Sequence, residues 1–181
     1  MSSTTGIQLI DESIPCFEKW TSVHGKVVLL YDSKKDEGSN KTFNTSVMHK
    51  TNVFIINIDE NGHFFGVFVK KPMTLDNGFN EDRDHFIFAL NGEGRKSPEM
   101  WRMKTTEFGG IKLIRDDDIL YEVGTCDGSF EIYKIGIKES KCNMLGMVYN
   151  GMSDKDLNGT NWIRKQKFAV SRVIALQIST D

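Results

Sequence analysis

Cysteine, proline and long apolar runs are all scarce in this sequence. Only 3 cysteines and 3 prolines occur among its 181 residues, and no apolar run reaches the roughly 18 residues that a membrane-spanning helix needs. The cysteines, Cys16, Cys126 and Cys142, are odd in number and far apart, so the spacing of paired zinc ligands is missing. We therefore expect reduced, mainly structural thiols and no membrane span.

Charge of one sign is not in excess either. The 23 Lys and Arg residues nearly balance the 25 Asp and Glu residues, which gives a formal net charge of -2. This balance gives no general reason to bind nucleic acid or anionic lipid. The first residues lack the basic start and apolar centre of a secretory signal. We expect a cytoplasmic protein that is not secreted, with the nucleus as the alternative location.

Recognisable enzyme motifs are missing as well. The glycine-rich loop that ends in Lys followed by Ser or Thr and holds nucleoside triphosphates does not occur. His24, His49, His63 and His85 lie on different predicted elements, and none forms a pair at helical spacing or a Cys/His cluster. We therefore predict a protein that is not an enzyme, with no catalytic residues, no metal site and no cofactor.

The sequence does contain a series of short apolar runs separated by turn signals. Asn61-Gly62, between two of these runs, predicts a hairpin because both residues accept positive φ angles. Residues 26–31 are almost entirely apolar, which predicts a strand buried on both faces, and a break at Ser171-Arg172 predicts a bulge. The clearest predicted strands are residues 26–31, 52–58, 63–70, 85–90 and 168–178, with weaker candidates at 100–104, 111–115, 119–123, 129–135 and 145–149.

Two helices are predicted beside these strands. Residues 7–20 partly fit an amphipathic helix that Pro15 interrupts. A second helix starts after Ser39, whose hydroxyl can cap it, and places Phe43, Val47 and Met48 on one face. The whole pattern predicts a mainly β, α+β fold with a few short helices, in which two packed antiparallel sheets form a β-sandwich.

Residues 27–90 carry a distinctive order of elements. A strand ending in Leu-Tyr-Asp-Ser precedes the capped helix, a hairpin with a Phe-Gly pair follows, and an apolar Phe-Ile-Phe strand comes next. This order resembles the core of the TLDc domain, a module of oxidation-resistance proteins and of regulators of the vacuolar proton-pumping ATPase. The residues that carry the resemblance are Leu29, Leu30, Tyr31, Ser33, Ser39, Phe43, Gly62, Phe65, Gly66, Phe86, Ile87, Phe88, Leu90 and the final strand at 174–178.

The resemblance implies a β-sandwich flanked by short helices that binds protein and has no catalytic residue to carry over. It implies a role in protection against oxidative stress or in regulation of the vacuolar ATPase, whose subunits become the candidate partners. It divides the chain into a partly helical N-terminal extension, 1–19, and a single TLDc-like domain, 20–181. The sequence departs from the family where Val67 replaces a usual glycine and where only fragments of a glycine-rich centre remain, at 108–110 and 123–124.

The cysteines suggest an alternative function. Cys126 lies within Gly-Thr-Cys-Asp-Gly at residues 124–128, a turn that can expose it, and an exposed thiolate can act as a redox sensor. The adjacent Asp127 opposes this interpretation, because a neighbouring carboxylate disfavours a thiolate. The alternative is a redox-responsive protective protein that uses Cys126 or Cys142.

Residues 154–160 resemble the start of a calcium loop. Asp154, Asp156 and Asn158 supply oxygens at its first, third and fifth positions, and Gly159 stands at the sixth. Lys165 occupies the closing position, where a glutamate is required. This cation favours a polar surface turn over a calcium site.

The segment 162–167 is the most basic short run. Trp162 is followed by Arg164, Lys165 and Lys167, a combination that can contact nucleic acid. A nucleic-acid-binding regulator is therefore a third hypothesis. Nearby aspartates offset the charge, so the sequence favours a solvated strand edge whose lysines discourage aggregation.

Overall fold

Two antiparallel sheets pack face to face in this protein. A computed structural model describes residues 3–75, 78–92 and 95–180, and the side chains at 3–6 and 162 are not described. The mainly β, α+β sandwich predicted from the sequence is confirmed. The larger sheet contains, in spatial order, β1 (Lys26–Asp32), β11 (Val170–Ser179), β2 (Val53–Asp59), β3 (Phe64–Val69), β5 (Phe86–Ala89) and β6 (Glu99–Arg102). The smaller sheet contains β10 (Lys141–Asn143), β9 (Gly128–Tyr133), β8 (Ile119–Thr125), β7 (Gly110–Leu113) and β4 (Asn80–Glu81). The helical elements are α1 (Ser3–Thr21), α2 (Asn40–Val47), α3 (Leu145–Val148) and a 3₁₀ turn (Trp162–Arg164).

The larger sheet contributes to two apolar cores, one on each face. The inner core lies between the sheets, where Phe65 of β3 meets Phe130 of β9 edge-on with ring centroids 6.1 Å apart. The outer core lies under α1, where Phe17 stacks on Phe54 of β2 with ring centroids 4.2 Å apart. Alternate residues of one strand point to opposite faces, so neighbouring positions of β2 serve different cores.

Helix α1 is longer and less broken than predicted. It runs continuously over Ser3–Thr21 with Pro15 inside it, so the predicted interruption is wrong. Proline removes one backbone hydrogen bond from a helix. Ile10 and Phe17 lie on either side of Pro15 and are only 4% and 1% exposed, and their burial against the larger sheet offsets that loss. Within the described part of the chain, no helix is long and apolar enough to cross a membrane.

Helix α2 begins where the sequence predicts. The Ser39 hydroxyl oxygen accepts a hydrogen bond from the Thr42 N–H at 3.2 Å, which satisfies one of the free donors of the first turn. Phe43 and Val47 are fully buried on the inner core, as predicted. Met48 is the C-terminal cap and is only partly buried. This apolar face fastens α2 to the sandwich.

The predicted hairpin and bulge are both confirmed. β2 and β3 pair antiparallel, and Gly62 in the turn between them has a φ of 81°. The Gly62 N–H donates to the Asp59 carbonyl at 3.1 Å. In the pairing of β11 with β2, the register shifts between Val170 and Arg172, at the predicted break.

One predicted strand is absent, and the predicted burial of another is wrong. Residues 145–149 are not a strand, since Leu145–Val148 form α3. Asp154 Oδ1 accepts the Leu145 N–H at 2.6 Å, and Leu145 and Val148, one helical turn apart, are both buried. β1 is not buried on both faces but is an edge strand of the larger sheet, and Leu29 is 48% exposed. An apolar run predicts a strand without telling whether another strand lies on each side of it.

Candidate functional site

A polar cleft of about 680 Å³ opens between the β2–β3 turn and the loop that precedes β11. The turn contributes Asn61 and His63 to its walls, and the loop contributes Asn158, Thr160 and Lys167. Amide, hydroxyl, imidazole and ammonium groups therefore line the opening. Such a surface can hydrogen-bond a polar ligand.

Asp59, at the end of β2, anchors this cleft. Its side chain is buried, and Oδ2 accepts from His63 Nδ1 at 2.9 Å and from Asn158 Nδ2 at 3.3 Å. Oδ1 accepts the backbone N–H groups of Asn61 and His63, both at 2.9 Å. Because an ionised carboxylate can only accept, His63 Nδ1 carries the proton in this pair. Asp59 thus fixes both the turn and the imidazole that borders the cleft.

The rim of the cleft is balanced in charge. Lys138 Nζ lies 2.7 Å from Glu60 Oε1, and this hydrogen bond lowers the pKa of the Glu60 carboxyl group. Lys167 pairs with Glu139, and this hydrogen bond raises the pKa of the Lys167 ammonium group. The Thr160 hydroxyl donates to Asn158 Oδ1 at 2.8 Å. The cleft is built for hydrogen bonding, and its described residues do not place a nucleophile against a general base.

Exposed apolar side chains lie at one end of the smaller sheet. Phe108, Met144 and Met147 are 60%, 40% and 56% exposed, and together with the turn at 125–128 we call them the apolar end. Methionine is flexible and polarisable, so it adapts to varied apolar partners. Exposed groups of this kind are a feature of protein-binding surfaces.

Close backbone contacts hold the apolar end together. A Cβ placed on Gly109 would lie 2.2 Å from the Gly124 carbonyl oxygen, so the segment after Phe108 runs against the last part of β8. A Cβ placed on Gly128 would lie 2.4 Å from the Met144 carbonyl oxygen, so the same turn also touches the start of α3. Cys126 sits in this turn and is exposed.

Basic groups border the apolar end. The Arg83 guanidinium carbon lies 4.7 Å from the centre of the Phe108 ring, a cation–π arrangement. Lys104 Nζ donates to the carbonyls of Gly146 and Met147 at 2.9 and 2.8 Å and so fixes the end of α3. The surface combines apolar contact area with positive charge at its edge.

A comparison with protein-family models identifies the family. The model described as the TLDc domain matches residues 3–110, which include the strand, capped helix and hairpin that suggested the resemblance. The chain belongs to the TLDc domain family. A search of curated proteins found no match. The family is linked in general to oxidative stress and to protein interaction. The division into an extension at 1–19 and a domain at 20–181 stays a prediction.

Glycine in the second half of this TLDc domain has a packing role. Gly110 begins β7 beside β4, and a Cβ there would lie 1.9 Å from the Asn80 carbonyl oxygen. Backbone rather than side-chain atoms make this contact, so a larger residue could not be accommodated without moving a strand. The glycine fragment at 108–110 in the sequence therefore marks a close contact between β7 and β4.

The two cysteines of the redox hypothesis lie in different environments of the TLDc domain. Cys142 of β10 is 1% exposed, and burial raises the pKa of its thiol to about 12. A thiol in this state reacts slowly with peroxide, since the thiolate is the nucleophile. Cys126 is exposed, as the glycine-flanked turn predicts. Of this pair, only Cys126 is open to reagents from solvent.

The calcium-like segment folds as a turn held by its own side chains. Asp154 accepts the Leu145 N–H, and Asp156 Oδ2 accepts the Ser153 N–H at 2.6 Å. Asn158 is turned inward toward Asp59. Among the described residues, no three His, Cys, Asp or Glu side chains lie close enough together to hold a metal ion. These contacts agree with the polar surface turn that the sequence favours over a calcium site.

The sequence favours a solvated strand edge for the basic segment at 162–167, and the structure shows that this prediction is wrong. Trp162–Arg164 form a 3₁₀ turn, and Lys165 follows with a φ of 51°. The Asn161 side chain accepts the Ile163 N–H at 2.9 Å, which starts this turn and explains why a strand does not form. Lys167 is paired with Glu139. Nucleic-acid binding by this segment stays a prediction.

Two buried polar pairs were not predicted from the sequence. His85 is fully buried, its Nδ1 lies 2.5 Å from the Asp82 carbonyl and its Nε2 lies 2.9 Å from the Tyr149 hydroxyl. Arg172 makes a two-bond contact with Asp32, at 2.9 and 2.6 Å. The partners are 64 and 140 positions apart in the chain, so no local pattern signals them.

Proposed function

We propose that this TLDc domain acts by binding a protein partner without catalysis, and that subunits of the vacuolar proton-pumping ATPase are that partner. In this proposal the binding serves regulation of the pump or protection against oxidative stress. Membership of the TLDc family supports the general role in protein interaction. The apolar end is the observation on which the proposal rests.

The exposure of the apolar end is difficult to explain by folding alone. Leu145 and Val148 of α3 are fully buried and pack this helix on the core, whereas Met147 of the same helix is 56% exposed. Burying an exposed methionine or phenylalanine against a partner contributes roughly 1.5–3 kcal/mol per side chain. Arg83 and Lys104 would then lie at the rim, where charge steers association and selects an acidic partner surface.

The environment of the fully buried aromatic titratable groups supports a role without catalysis. Tyr121 is fully buried and donates to Asn57 Oδ1 at 2.7 Å, inside the inner core. Tyr149 and His85 are bonded to each other. Groups that perform acid–base chemistry must reach a substrate, usually in a cleft. These groups instead stabilise the fold.

Substitution of Met147 by aspartate is expected to weaken binding to purified vacuolar ATPase about tenfold or more, because a charge replaces a contact side chain. Ile163→Asp is the matched control, since Ile163 is 84% exposed and lies in the 3₁₀ turn rather than at the apolar end. The measurement is biolayer interferometry with immobilised pump, accompanied by circular dichroism of each variant. Equal binding by wild type and Met147→Asp, or no binding by the wild type, would contradict the proposal.

A second candidate function rests on the exposure of Cys126. In a redox-responsive protein, the Cys126 thiolate would attack one oxygen of hydrogen peroxide, so that a sulfur–oxygen bond forms as the oxygen–oxygen bond breaks. The departing hydroxide takes a proton and leaves as water, and the cysteine becomes a sulfenic acid. The cysteine is oxidised by two electrons and the peroxide is reduced. The same turn belongs to the apolar end, so oxidation there would change the surface proposed for binding.

A mild dose of hydrogen peroxide is expected to produce one sulfenic acid, at Cys126, and none at buried Cys142. The readout is a dimedone adduct located by peptide mass spectrometry, because the exposed methionines also gain oxygen and intact mass alone cannot separate them. Cys126→Ser should abolish the adduct and Cys142→Ser should keep it. Absence of an adduct on the wild-type protein would remove this candidate.

A further inference from the structure

The polar cleft is separate from the apolar end, and the two surfaces share no residue. Its volume of about 680 Å³ lies within the range of pockets that hold small molecules, roughly 300–1,000 Å³. One phosphate or carboxylate group by itself fills only part of such a volume. The hydrogen-bonding groups of the cleft therefore decide which class of small molecule it takes.

Three side chains of the cleft supply hydrogen-bond donors that the fold does not use. The Gln166 side-chain oxygen accepts the Asn161 N–H at 2.9 Å, so the amide nitrogen of Gln166 is left to donate. Lys138 and Lys167 also line the cleft, and each ammonium group has three N–H bonds. Each makes one ion pair with a glutamate among the described residues, which leaves further N–H bonds for a ligand.

His63 supplies an acceptor on the turn side of the cleft. Its Nδ1–H donates to the buried Asp59 carboxylate, which leaves a lone pair on Nε2 of the neutral ring. Among the described residues, no group bonds to this nitrogen. Asn158 and Thr160 are bonded to each other and are already occupied. A hydroxyl group is the ligand group that can donate to His63 Nε2.

We propose that the cleft binds a small phosphate ester that carries hydroxyl groups, the chemistry of a phosphorylated polyol. A phosphate group offers three strong acceptor oxygens in different directions, so it can accept from Lys138, Lys167 and Gln166 at once. A carboxylate has only two oxygens, both in one plane. None of the described lining residues is an arginine, the side chain that grips a carboxylate through two parallel bonds. The hydroxyl groups of the ester then reach His63.

Titration of the isotopically labelled full chain with glycerol phosphate, followed by amide NMR shifts, tests this assignment. We expect a Kd on the order of 1 mM and shift changes at residues 60–63 and 158–168. Inorganic phosphate lacks the hydroxyl groups and acetate lacks the third oxygen, so each should bind about fivefold more weakly or less tightly still. Equal affinity for either of them would overturn the assignment. So would the absence of shift changes at about 10 mM glycerol phosphate.

Two variants test the donors directly. Lys138→Gln should weaken glycerol phosphate binding about fivefold, whereas Lys70→Gln should not, because Lys70 is likewise paired with one carboxylate, that of Asp84, but lies outside the cleft. Gln166→Glu keeps an oxygen that accepts the Asn161 N–H and replaces the donating amide by a charged oxygen. Binding should fall about tenfold or more with an unchanged circular dichroism spectrum. Wild-type affinity in either cleft variant would overturn the proposal.

The phosphate ester can be a free small molecule or the headgroup of a lipid. Vesicles of phosphatidylcholine with and without a phosphorylated phosphatidylinositol distinguish these sources by co-sedimentation. Co-sedimentation that requires the phosphorylated lipid and is lost in Gln166→Glu assigns the headgroup. Binding of glycerol phosphate without co-sedimentation assigns the free ester. Co-sedimentation that Gln166→Glu leaves unchanged would show that the cleft does not hold the headgroup and would count against the proposal.

Discussion

Replacement of Asp32 by alanine is expected to lower the free energy of unfolding by about 3–5 kcal/mol. Arg172 is only 4% exposed, and its Nε and Nη2 atoms donate to the two carboxylate oxygens of Asp32 at 2.9 and 2.6 Å. Removing the carboxylate leaves a guanidinium charge buried without its partner, which costs more than the pair contributes. Urea unfolding at neutral pH measures the loss.

The matched control is the exposed pair formed by Lys70 and Asp84. Their side chains are 54% and 56% exposed at an N–O distance of 2.9 Å, so Asp84→Ala should cost only about 0–1 kcal/mol. A double variant, Asp32→Leu with Arg172→Met, should recover part of the loss because no unpaired charge remains. A loss below about 1 kcal/mol for Asp32→Ala would contradict the prediction.

The Asp32 pair also predicts a loss of stability in acid. The hydrogen bond from Arg172 is the main cause that lowers the pKa of the Asp32 carboxyl group in the folded protein. The unfolded state therefore binds the proton more readily, with a pKa of about 3.9. The contribution of this pair is fully present above that value and is lost as pH falls through the folded pKa. Asp32→Ala should remove this part of the acid dependence.

Replacement of His85 by phenylalanine is expected to cost about 1–3 kcal/mol, because it leaves the buried Tyr149 hydroxyl unpaired. The Asp82 carbonyl still accepts the backbone N–H of residue 85 at 3.2 Å. A carbonyl can only accept, so His85 Nδ1–H donates to Asp82 and Nε2 accepts from the Tyr149 hydroxyl. Phenylalanine keeps the ring volume but provides neither hydrogen bond. Adding Tyr149→Phe should recover part of the loss, because that change removes the hydroxyl that His85→Phe leaves without a hydrogen-bond partner. Chemical unfolding of the two single variants and the double variant measures this coupling.

The same histidine makes stability depend on pH near neutrality. Burial lowers the pKa of the His85 imidazole, so it is neutral in the folded state over a wider pH range than in the unfolded state. The unfolded state then binds the proton first, and stability falls as pH drops below about 6.5 toward the folded pKa. His85→Phe should lose this dependence between about pH 7.5 and about pH 5.5. An unchanged pH slope in the variant would show that other groups produce it.

Local signals in the sequence predicted the local structure well. Alternation and apolar runs predicted most of the strands, Gly62 marked the hairpin and Ser39 marked the start of α2. These features depend on residues within a few positions of each other, so the sequence displays them directly. The order of the same elements also indicated the TLDc family, which the family comparison identifies over residues 3–110.

Local signals failed where a distant contact decides the conformation. Leu145 reads as strand but begins a helix because the Asp154 side chain, nine positions later, accepts its N–H. Pro15 reads as a helix break but stays within α1 because the larger sheet buries the side chains around it. The free energy gained by tertiary packing can exceed a local conformational preference of about 1–3 kcal/mol. A single sequence does not show which distant segment provides that packing.

The sequence by itself determined that this chain is mainly β with a few helices, because periodicity, turn residues and helix caps act over short distances. Its resemblance to the TLDc domain also lies in the sequence, and the family model confirms it. Only the tertiary structure decided which strand lies at an edge and which apolar side chains remain exposed. It also joined Asp32 to Arg172 across 140 positions. Strand order and burial follow from pairing between distant segments, and each segment carries the same local pattern whether it lies inside the sheet or at its border.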